Sequence, residues 1–241
     1  MKAILTFHSI DDSGSVLSFP VRKFAQLITE VVESKTRICT LDQIVRPETD
    51  NAIAITFDDG MESVFKNALP VLKAAGVPAH LYLTTACVGG NNRWPTQPSA
   101  APEFEMMSQA QLEHCVEGGM LIENHTATHP DMRALSSGEV RDECLQADRW
   151  IDAAFGRKPK HFAYPYGYYN AEVAAFVGSH YETAVTTKLK MLSSQDSMAE
   201  LPRLDTYYLQ KRGSYRSFFS FQANTYLKLR NGLRIIRQMV S

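Results

Sequence analysis

The sequence predicts an α/β protein built on a parallel β-sheet, either open or closed into a barrel. Short apolar segments typical of buried strands alternate along the chain with amphipathic segments typical of helices. This alternation favours a parallel sheet, because parallel strands need a long crossover connection that is usually a helix. The predicted strands cover residues 3–7, 53–57, 79–84, 120–123, 161–164 and 183–186, and the predicted helices cover residues 21–34, 63–75, 108–117, 136–155 and 171–179.

Local signals support the helix boundaries. Ser108 with Gln111 and Ser136 with Glu139 have the spacing of capping boxes, in which each side chain satisfies a backbone N–H at the helix start. The Gly-Val-Pro sequence at 76–78 predicts a helix end followed by a strand. No repeat, low-complexity tract or linker divides the chain, so we expect a single domain over residues 1–241.

The composition excludes several classes of protein. The chain has 241 residues, of which 44% are hydrophobic and 21% charged, as in ordinary globular proteins. A formal net charge of −1 does not favour nucleic-acid binding. The four cysteines form no CxxC pair, and the apolar run at the N-terminus is too short for a signal peptide. No apolar run is long enough to span a membrane. Because the cysteines are far apart and a signal peptide is not indicated, we expect a cytoplasmic protein with reduced cysteines.

Polar residues collect where the predicted strands end. Asp58 and Asp59 follow the strand 53–57, and two adjacent carboxylates at the end of a buried strand need a cation nearby. His125 and His129 follow the strand 120–123, and His8 ends the strand 3–7. The carboxyl ends of parallel strands meet on one side of the sheet, where these folds carry their chemistry.

The histidine spacing supplies a candidate for that cation. Imidazoles four residues apart lie on one side of a turn, and two His with one Asp make a three-ligand metal site with an open position. The HxxxH spacing alone is as consistent with surface or core histidines as with a metal. With one aspartate bound to the metal, the other can accept a proton from water whose pKa the metal lowers. The alternative is that Asp58-Asp59-Gly60 is only a turn before a helix.

Three segments together resemble a known family. The sequences TFDDG, HTATH and FAYPYG, in this order, are similar to the first three motifs of the polysaccharide deacetylases, carbohydrate esterase family four, and the resemblance covers roughly residues 1–205. It implies a distorted (β/α) barrel of about seven parallel strands with the active site at their C-terminal ends. It also implies metal-dependent hydrolysis of an N-acetyl group on an amino sugar. The sequence leaves open whether the group is acetyl or formyl and whether the sugar belongs to a glycan or a glycan precursor.

The same resemblance implies the roles of the motif residues. Asp58 would be the general base that activates a water for attack on the amide. The backbone N–H of Tyr166 would stabilise the oxyanion. The metal, most often zinc, would be held by Asp59, His125 and His129.

The sequence departs from the family pattern in two places. Many members carry an Arg in the third motif that pairs with the catalytic aspartate, and this chain has Ala163 there. Arg203 could supply that charge to Asp58, or it could form a surface salt bridge. Members also carry a late Leu-x-His whose imidazole protonates the leaving amine, and no histidine follows His180. His8 is the expected substitute as acid, with a hydrogen-bonded core histidine as the alternative.

The expected substrate contacts lie in the third motif and in a long loop. Pro165 and Tyr166 are candidate substrate-binding residues. The Gly/Asn/Pro-rich loop at residues 86–105 is long enough to suggest a function. Its Trp94 could stack on a sugar ring, or could equally be a packing or dimer contact.

The C-terminal segment is basic and amphipathic. From residue 206 to the end there are seven Lys or Arg and no Asp or Glu. We expect a helix at about residues 215–240, either packed on the barrel or lying on an anionic membrane surface. The second arrangement would suit a lipid-linked or nucleotide-linked sugar substrate. Its apolar stripe consists of Tyr226, Leu229, Leu233, Ile236 and Val240.

Two other classes of function remain open at this stage. A carbohydrate-binding pseudo-enzyme could keep the metal site and lack the acid, as the missing Leu-x-His would allow. A non-haem iron enzyme uses the same set of two His and one carboxylate, although the second aspartate would then have no role.

Overall fold

The structure, a computed structural model, describes residues 1–34 and 36–216. The helix expected at about residues 215–240 lies outside the described residues except for its first two positions. The strands are β1 (Lys2–Phe7), β2 (Ser9–Ile10), β3 (Ser18–Phe19), β4 (Arg37–Ile38), β5 (Ala52–Phe57), β6 (Ala79–Leu83), β7 (Met120–Asn124), β8 (His161–Ala163), β9 (Thr183–Val185) and β10 (Leu204–Asp205). The α-helices are α1 (Val21–Val32), α2 (Leu41–Ile44), α3 (Leu69–Ala75), α4 (Gln109–Glu117), α5 (Ser137–Phe155) and α6 (Ala171–His180).

Seven parallel strands form the main sheet in the order β10-β1-β5-β6-β7-β8-β9, and β4 adds to it by pairing with β5. The longest register joins β1 to β5, from Lys2 opposite Ala52 to Phe7 opposite Phe57. The sheet curls into a half-barrel with helices outside it, which confirms the predicted fold class. All six predicted strands are present with ends within one residue, and β10 was not predicted because two residues are too short to show a periodic pattern.

The two faces of the central strand β5 pack against different parts of the core. Every residue of β5 is buried, as expected for a parallel strand covered on both sides. Its isoleucines face the outer core between sheet and helices, where Ile53 and Ile55 pack. The small side chains of Ala52 and Ala54 face the interior of the curled sheet, where they leave room for Tyr82. Asp58 and Asp59 follow directly at the carboxyl end of this strand.

Short helical turns follow several strands at the same end of the sheet. The segment before α3 is a π-helix over Val64–Ala68, and 3-10 turns cover Thr85–Cys87, Met132–Ala134, Pro165–Gly167 and Thr206–Leu209. The capping boxes predicted for Ser108 and Ser136 are both formed. Among the described residues, no helix has the length and apolar character needed to cross a membrane.

Candidate active site

The loops at the carboxyl ends of the strands bring the candidate residues together. A three-residue turn at the end of β5 orients the two aspartates. The Gly60 N–H donates to the Asp58 carbonyl at 2.9 Å, and Asp59 between them has φ of 73°. Gly60 follows with φ of 100°, and an added Cβ there would lie 2.6 Å from the Leu83 side chain. Successive strand residues point to opposite faces, and this turn brings both carboxylates to the mouth.

Arg203 lies beside Asp58. Its guanidinium donates from Nη1 to Oδ1 and from Nη2 to Oδ2 of Asp58, each at 2.7 Å. The same guanidinium is oriented by the Thr186 carbonyl at 3.1 Å and the Thr56 hydroxyl at 3.2 Å. Burial alone would raise the pKa of the Asp58 carboxyl, but the charge and hydrogen bonds of Arg203 lower it overall. Asp58 is therefore held as a carboxylate in one orientation.

Three ligand-type side chains converge next to this pair. Oδ1 of Asp59 lies 3.4 Å from Nε2 of His125 and 3.6 Å from Nε2 of His129. One ligand atom from each residue lies within 4.8 Å of the others, and all three residues are buried. These distances are longer than those of a good N–H···O hydrogen bond, so they leave space between the three ligand atoms.

The tautomer of His125 shows that this set fits a divalent metal. Its Nδ1 lies 2.7 Å from the Ala163 carbonyl oxygen and must donate to it, since a carbonyl only accepts. In the neutral ring, Nε2 then presents a lone pair to the Asp59 carboxylate. Two electron-rich atoms facing each other need a cation between them, either a proton or a metal ion. A ring nitrogen that donates to a carbonyl while the other binds is the usual arrangement of a metal-ligating histidine.

The two imidazoles differ in the direction in which their surroundings shift the pKa. Burial alone would lower the pKa of His125, but the Asp59 and Asp58 carboxylates raise it overall. Burial, together with the nearby His125, lowers the pKa of His129 to about 3. His129 is therefore neutral over the physiological range and available as a nitrogen ligand.

Rings, rather than a hydrogen bond, orient His129. Its Nδ1 is buried and has no hydrogen-bond partner among the described residues. The imidazole lies between the rings of Trp94, at 4.2 Å between centroids, and Tyr166, at 4.5 Å. Trp94 Nε1 donates to the Tyr166 hydroxyl at 2.7 Å, and Thr96 donates to the His129 carbonyl at 2.8 Å. Trp94 is only 6% exposed, and its side chain contacts His129 and Tyr166.

The loop between the two histidines is held from beneath by Glu143 of α5. Its Oε2 accepts the N–H groups of Ala127 at 3.0 Å and Thr128 at 2.9 Å, and its Oε1 accepts the Thr128 hydroxyl at 2.8 Å. Asn124 and Thr126 add further bonds. Asn124 Oδ1 accepts the Thr126 N–H at 2.7 Å, and the Thr126 hydroxyl accepts the His129 N–H at 3.0 Å. The backbone between the ligands is thus bonded at nearly every residue.

Backbone strain is concentrated in this region. Of the five described non-glycine residues with positive φ, four lie at the site. L-residues disfavour this conformation, and its persistence at one place requires surrounding bonds to hold it. The four are Asp59, Thr126, His129 and Tyr166.

His8 lies at the mouth beside Asp58. Its Nε2 is 3.9 Å from Oδ2 of Asp58, and its side chain is 29% exposed. Tyr166 follows β8 on the 3-10 turn Pro165–Gly167, with φ of 58°. The ring of Tyr166 packs on His129 and His8 lies beside Asp58, so both residues border the candidate site.

A second cluster of ligand-type side chains in the barrel interior has a different character. Its members are His80, Glu123 and His161. His80 Nε2 accepts the Leu41 N–H at 3.0 Å, so its Nδ1 carries the proton that points at Glu123 Oε1, 3.2 Å away. Glu123 also accepts from the Arg157 guanidinium at 3.0 Å and from two backbone N–H groups. With these lone pairs already used, the cluster is a structural hydrogen-bond network.

The family is decided by a match over more than half of the chain. Residues 46–183 match the family model of the polysaccharide deacetylases. The chain belongs to the polysaccharide deacetylase family. This membership agrees with the resemblance seen in the three motifs, all of which lie inside the matched segment.

Two curated proteins and one solved structure show how far this similarity extends. YxkH of Bacillus subtilis is 26% identical to this chain over 209 residues. The aligned region covers 83% of this chain and 70% of YxkH. The poly-beta-1,6-N-acetyl-D-glucosamine N-deacetylase of Staphylococcus aureus is 26% identical over 171 residues, or 66% of this chain, which spans about half (53%) of the staphylococcal protein. The deacetylase PplD of Streptococcus pyogenes, solved with acetate, superimposes with a TM-score of 0.72 at 20% identity over 84% of this chain and 91% of PplD, which shows the shared fold.

Sequence reasoning missed the residues that support the site. Glu143 borders the buried stripe of α5 without belonging to it, and no local pattern tells which loop its carboxylate meets. Thr96 bonds to His129, which is far from it in the sequence. Asn124 bonds to the nearby Thr126 through its side chain, and no local pattern indicates that bond. Only the late Arg203 gave a usable signal, through the missing arginine of the third motif.

Proposed function

We propose that this protein is a metal-dependent hydrolase that removes an N-acetyl group from an amino sugar of a glycan. The observation that carries the proposal is the adjacency of Asp58, clamped by Arg203, to the ligand set of Asp59, His125 and His129. A fixed carboxylate beside a three-donor centre is what hydrolysis of an amide by an activated water requires. The family membership supports the same reaction.

Asp59, His125 and His129 would hold one divalent ion, with zinc the first candidate because two nitrogens and one carboxylate with an open position suit it. When bound, the ion would polarise the acetyl carbonyl and lower the pKa of a water molecule. An iron enzyme uses a similar ligand set, but it would leave Asp58 and its guanidinium clamp without a role.

The chain's own residues divide the remaining work. Asp58 accepts the proton of the attacking water, and Arg203 keeps it ionised and oriented. The backbone N–H of Tyr166 donates to the oxygen that becomes negative in the transition state. His8, partly exposed at the mouth, donates a proton to the leaving amine, because an amine leaves poorly while it is unprotonated.

The substrate is a glycan that carries N-acetylated amino sugars. The staphylococcal relative is named for poly-beta-1,6-N-acetyl-D-glucosamine, and this supports a substrate of that class. Pro165 and Tyr166, on the turn after β8, would contact the sugar that bears the acetyl group. Lipid-linked and nucleotide-linked sugars, a cytoplasmic location and contact of the C-terminal segment with a membrane stay as predictions.

The test compares the two neighbouring aspartates. The metal-loaded protein is assayed for amine release from N-acetylglucosamine oligomers, with metal content measured on the same samples. Asp58→Asn should retain the metal and lose roughly 10²- to 10⁴-fold in kcat, the usual contribution of a positioned base. Asp59→Asn and His125→Ala should instead lose the metal.

The result also separates the alternatives. A protein that binds oligomers and metal but releases no amine under any metal would be a carbohydrate-binding pseudo-enzyme. Activity that requires Fe²⁺ and O₂ would indicate an oxygenase. Equal metal loss in the Asp58 and Asp59 variants would contradict the proposed division of roles.

A further inference from the structure

A row of ring contacts leads from the ligand His129 to the protein surface. The ring of His129 packs on Tyr166, and the ring of Tyr166 lies 5.6 Å from that of Tyr168 at an angle of 37°. Tyr168 is 41% exposed, whereas Trp94 at the other end of the row is almost buried. Two ring contacts, through Tyr166, therefore connect the exposed ring of Tyr168 to the candidate metal ligand His129.

Tyr168 is held in place on a rigid turn. The Arg133 guanidinium carbon lies 3.8 Å from the centroid of its ring, within the range of a cation–π contact. The Tyr168 N–H donates to the Pro165 carbonyl at 3.0 Å, and the Gly167 N–H donates to the Tyr164 carbonyl at 2.8 Å. A ring that is already ordered loses little conformational entropy when a ligand packs on it.

The charge of Arg133 is matched locally. Its Nε and Nη2 donate to the two oxygens of Asp131 at 3.0 and 2.7 Å, and its backbone N–H donates to Oδ1 at 3.0 Å. The guanidinium therefore supports the tyrosine without offering an unpaired cation. Such a surface suits an uncharged ring with apolar C–H groups better than a phosphate or a nucleotide.

We propose that Tyr168, supported by Arg133, binds the sugar ring next to the unit whose acetyl group is removed, so that the preferred substrate is an uncharged glycan chain. This inference rests on the proposed function and adds the length and charge of the substrate to it. The C–H face of a pyranose packs on an aromatic face, and a neighbouring sugar extends from the metal centre along the row toward the exposed ring. A monosaccharide would occupy the metal centre without reaching Tyr168.

The experiment compares substrates of different length in matched variants. We measure kcat/KM for an N-acetylglucosamine monomer, its pentamer and a small activated acetyl ester with Tyr168→Ala, Tyr168→Phe and the control Tyr207→Ala. Tyr207 is another exposed tyrosine, 48% exposed, which follows β10 and packs on Tyr208. Tyr168→Ala should lower kcat/KM for the pentamer about tenfold, mainly through KM, with a much smaller effect on monomer and ester. Tyr168→Phe and Tyr207→Ala should resemble the wild type.

A separate measurement keeps this inference distinct from the proposed function. Binding of the pentamer to the metal-loaded Asp58→Asn protein is measured by calorimetry, with and without Tyr168→Ala. Tyr168-dependent binding without turnover in the wild type would support the surface and refute the deacetylation. Turnover of the pentamer that is unchanged in Tyr168→Ala, or equal losses for pentamer, monomer and ester, would overturn the binding surface.

Discussion

Arg203 and Asp58, 145 residues apart in the sequence, form a bidentate ion pair, and both residues are buried at the mouth of the barrel. Parallel N–H···O bonds from one guanidinium fix the plane of the carboxylate as well as its charge. The third motif has Ala163 and no charged side chain, and the cation beside Asp58 is Arg203.

Replacing Arg203 should therefore affect both stability and turnover. Arg203→Met leaves a buried carboxylate unpaired and should lower the free energy of unfolding by about 3–5 kcal/mol. Arg203→Lys keeps the charge but cannot make two parallel bonds, so it should retain the metal and lose kcat. Urea unfolding, metal content and kcat measure these effects. In the double variant Arg203→Met/Asp58→Asn much of the stability should return, and an additive loss would argue against direct coupling.

His8 is expected to act on the leaving group. His8→Ala should keep the metal and fold and lose turnover of amide substrates by about 10²-fold or more, as removal of a general acid does. An activated ester, whose leaving group needs no proton, should be affected much less. The 3.9 Å separation from Asp58 allows another role, in which His8 orients the base. Equal losses for amide and ester would favour that role over the acid.

Glu143 should control the affinity for metal without touching it. Glu143→Ala removes three hydrogen bonds from the strained loop between His125 and His129 and should weaken metal binding by about 10–100-fold. Glu143→Gln keeps an oxygen for the two N–H groups and can donate to the Thr128 hydroxyl, so it should bind nearly normally. The exposed neighbour Asp142→Ala serves as control. Metal titration against a chelator gives the affinity, and unchanged affinity in Glu143→Ala would contradict the role.

Glu123 should make stability depend on pH. Burial alone would raise the pKa of Glu123, but hydrogen bonding from His80 and the charges of His161 and Arg157 lower it overall. Because the unfolded chain holds this proton more tightly, the stabilisation is complete above the unfolded value, near 4.3, and is lost as pH falls through the folded pKa. Glu123→Gln should be about 3 kcal/mol less stable at neutral pH.

The measurement for Glu123 is urea unfolding of the metal-free protein at several pH values. The stability gap between wild type and Glu123→Gln should narrow as pH falls below about 4.3. Glu117→Gln, on the exposed face of α4, should track the wild type at every pH. A gap that stays constant into acid would mean that the carboxylate contributes no titratable stabilisation.

The sequence by itself determined the repeating strand–helix order and the residues at the strand ends. Strands such as β5 and helices such as α5 follow from local periodicity and caps, which depend on residues only a few positions apart. The same reasoning grouped Asp58, Asp59, His125 and His129, because parallel strands end on one side of a sheet.

Only the tertiary structure decided which distant side chains complete the site. Arg203 meets Asp58, Glu143 holds the His125–His129 loop, and Tyr166 packs on His129 across separations that no periodic pattern encodes. The positive φ values of Asp59 and His129 arise in the same way, since local propensity disfavours them. Such contacts depend on how the curled sheet brings its loops together, and burial among those loops then fixes their charge and orientation.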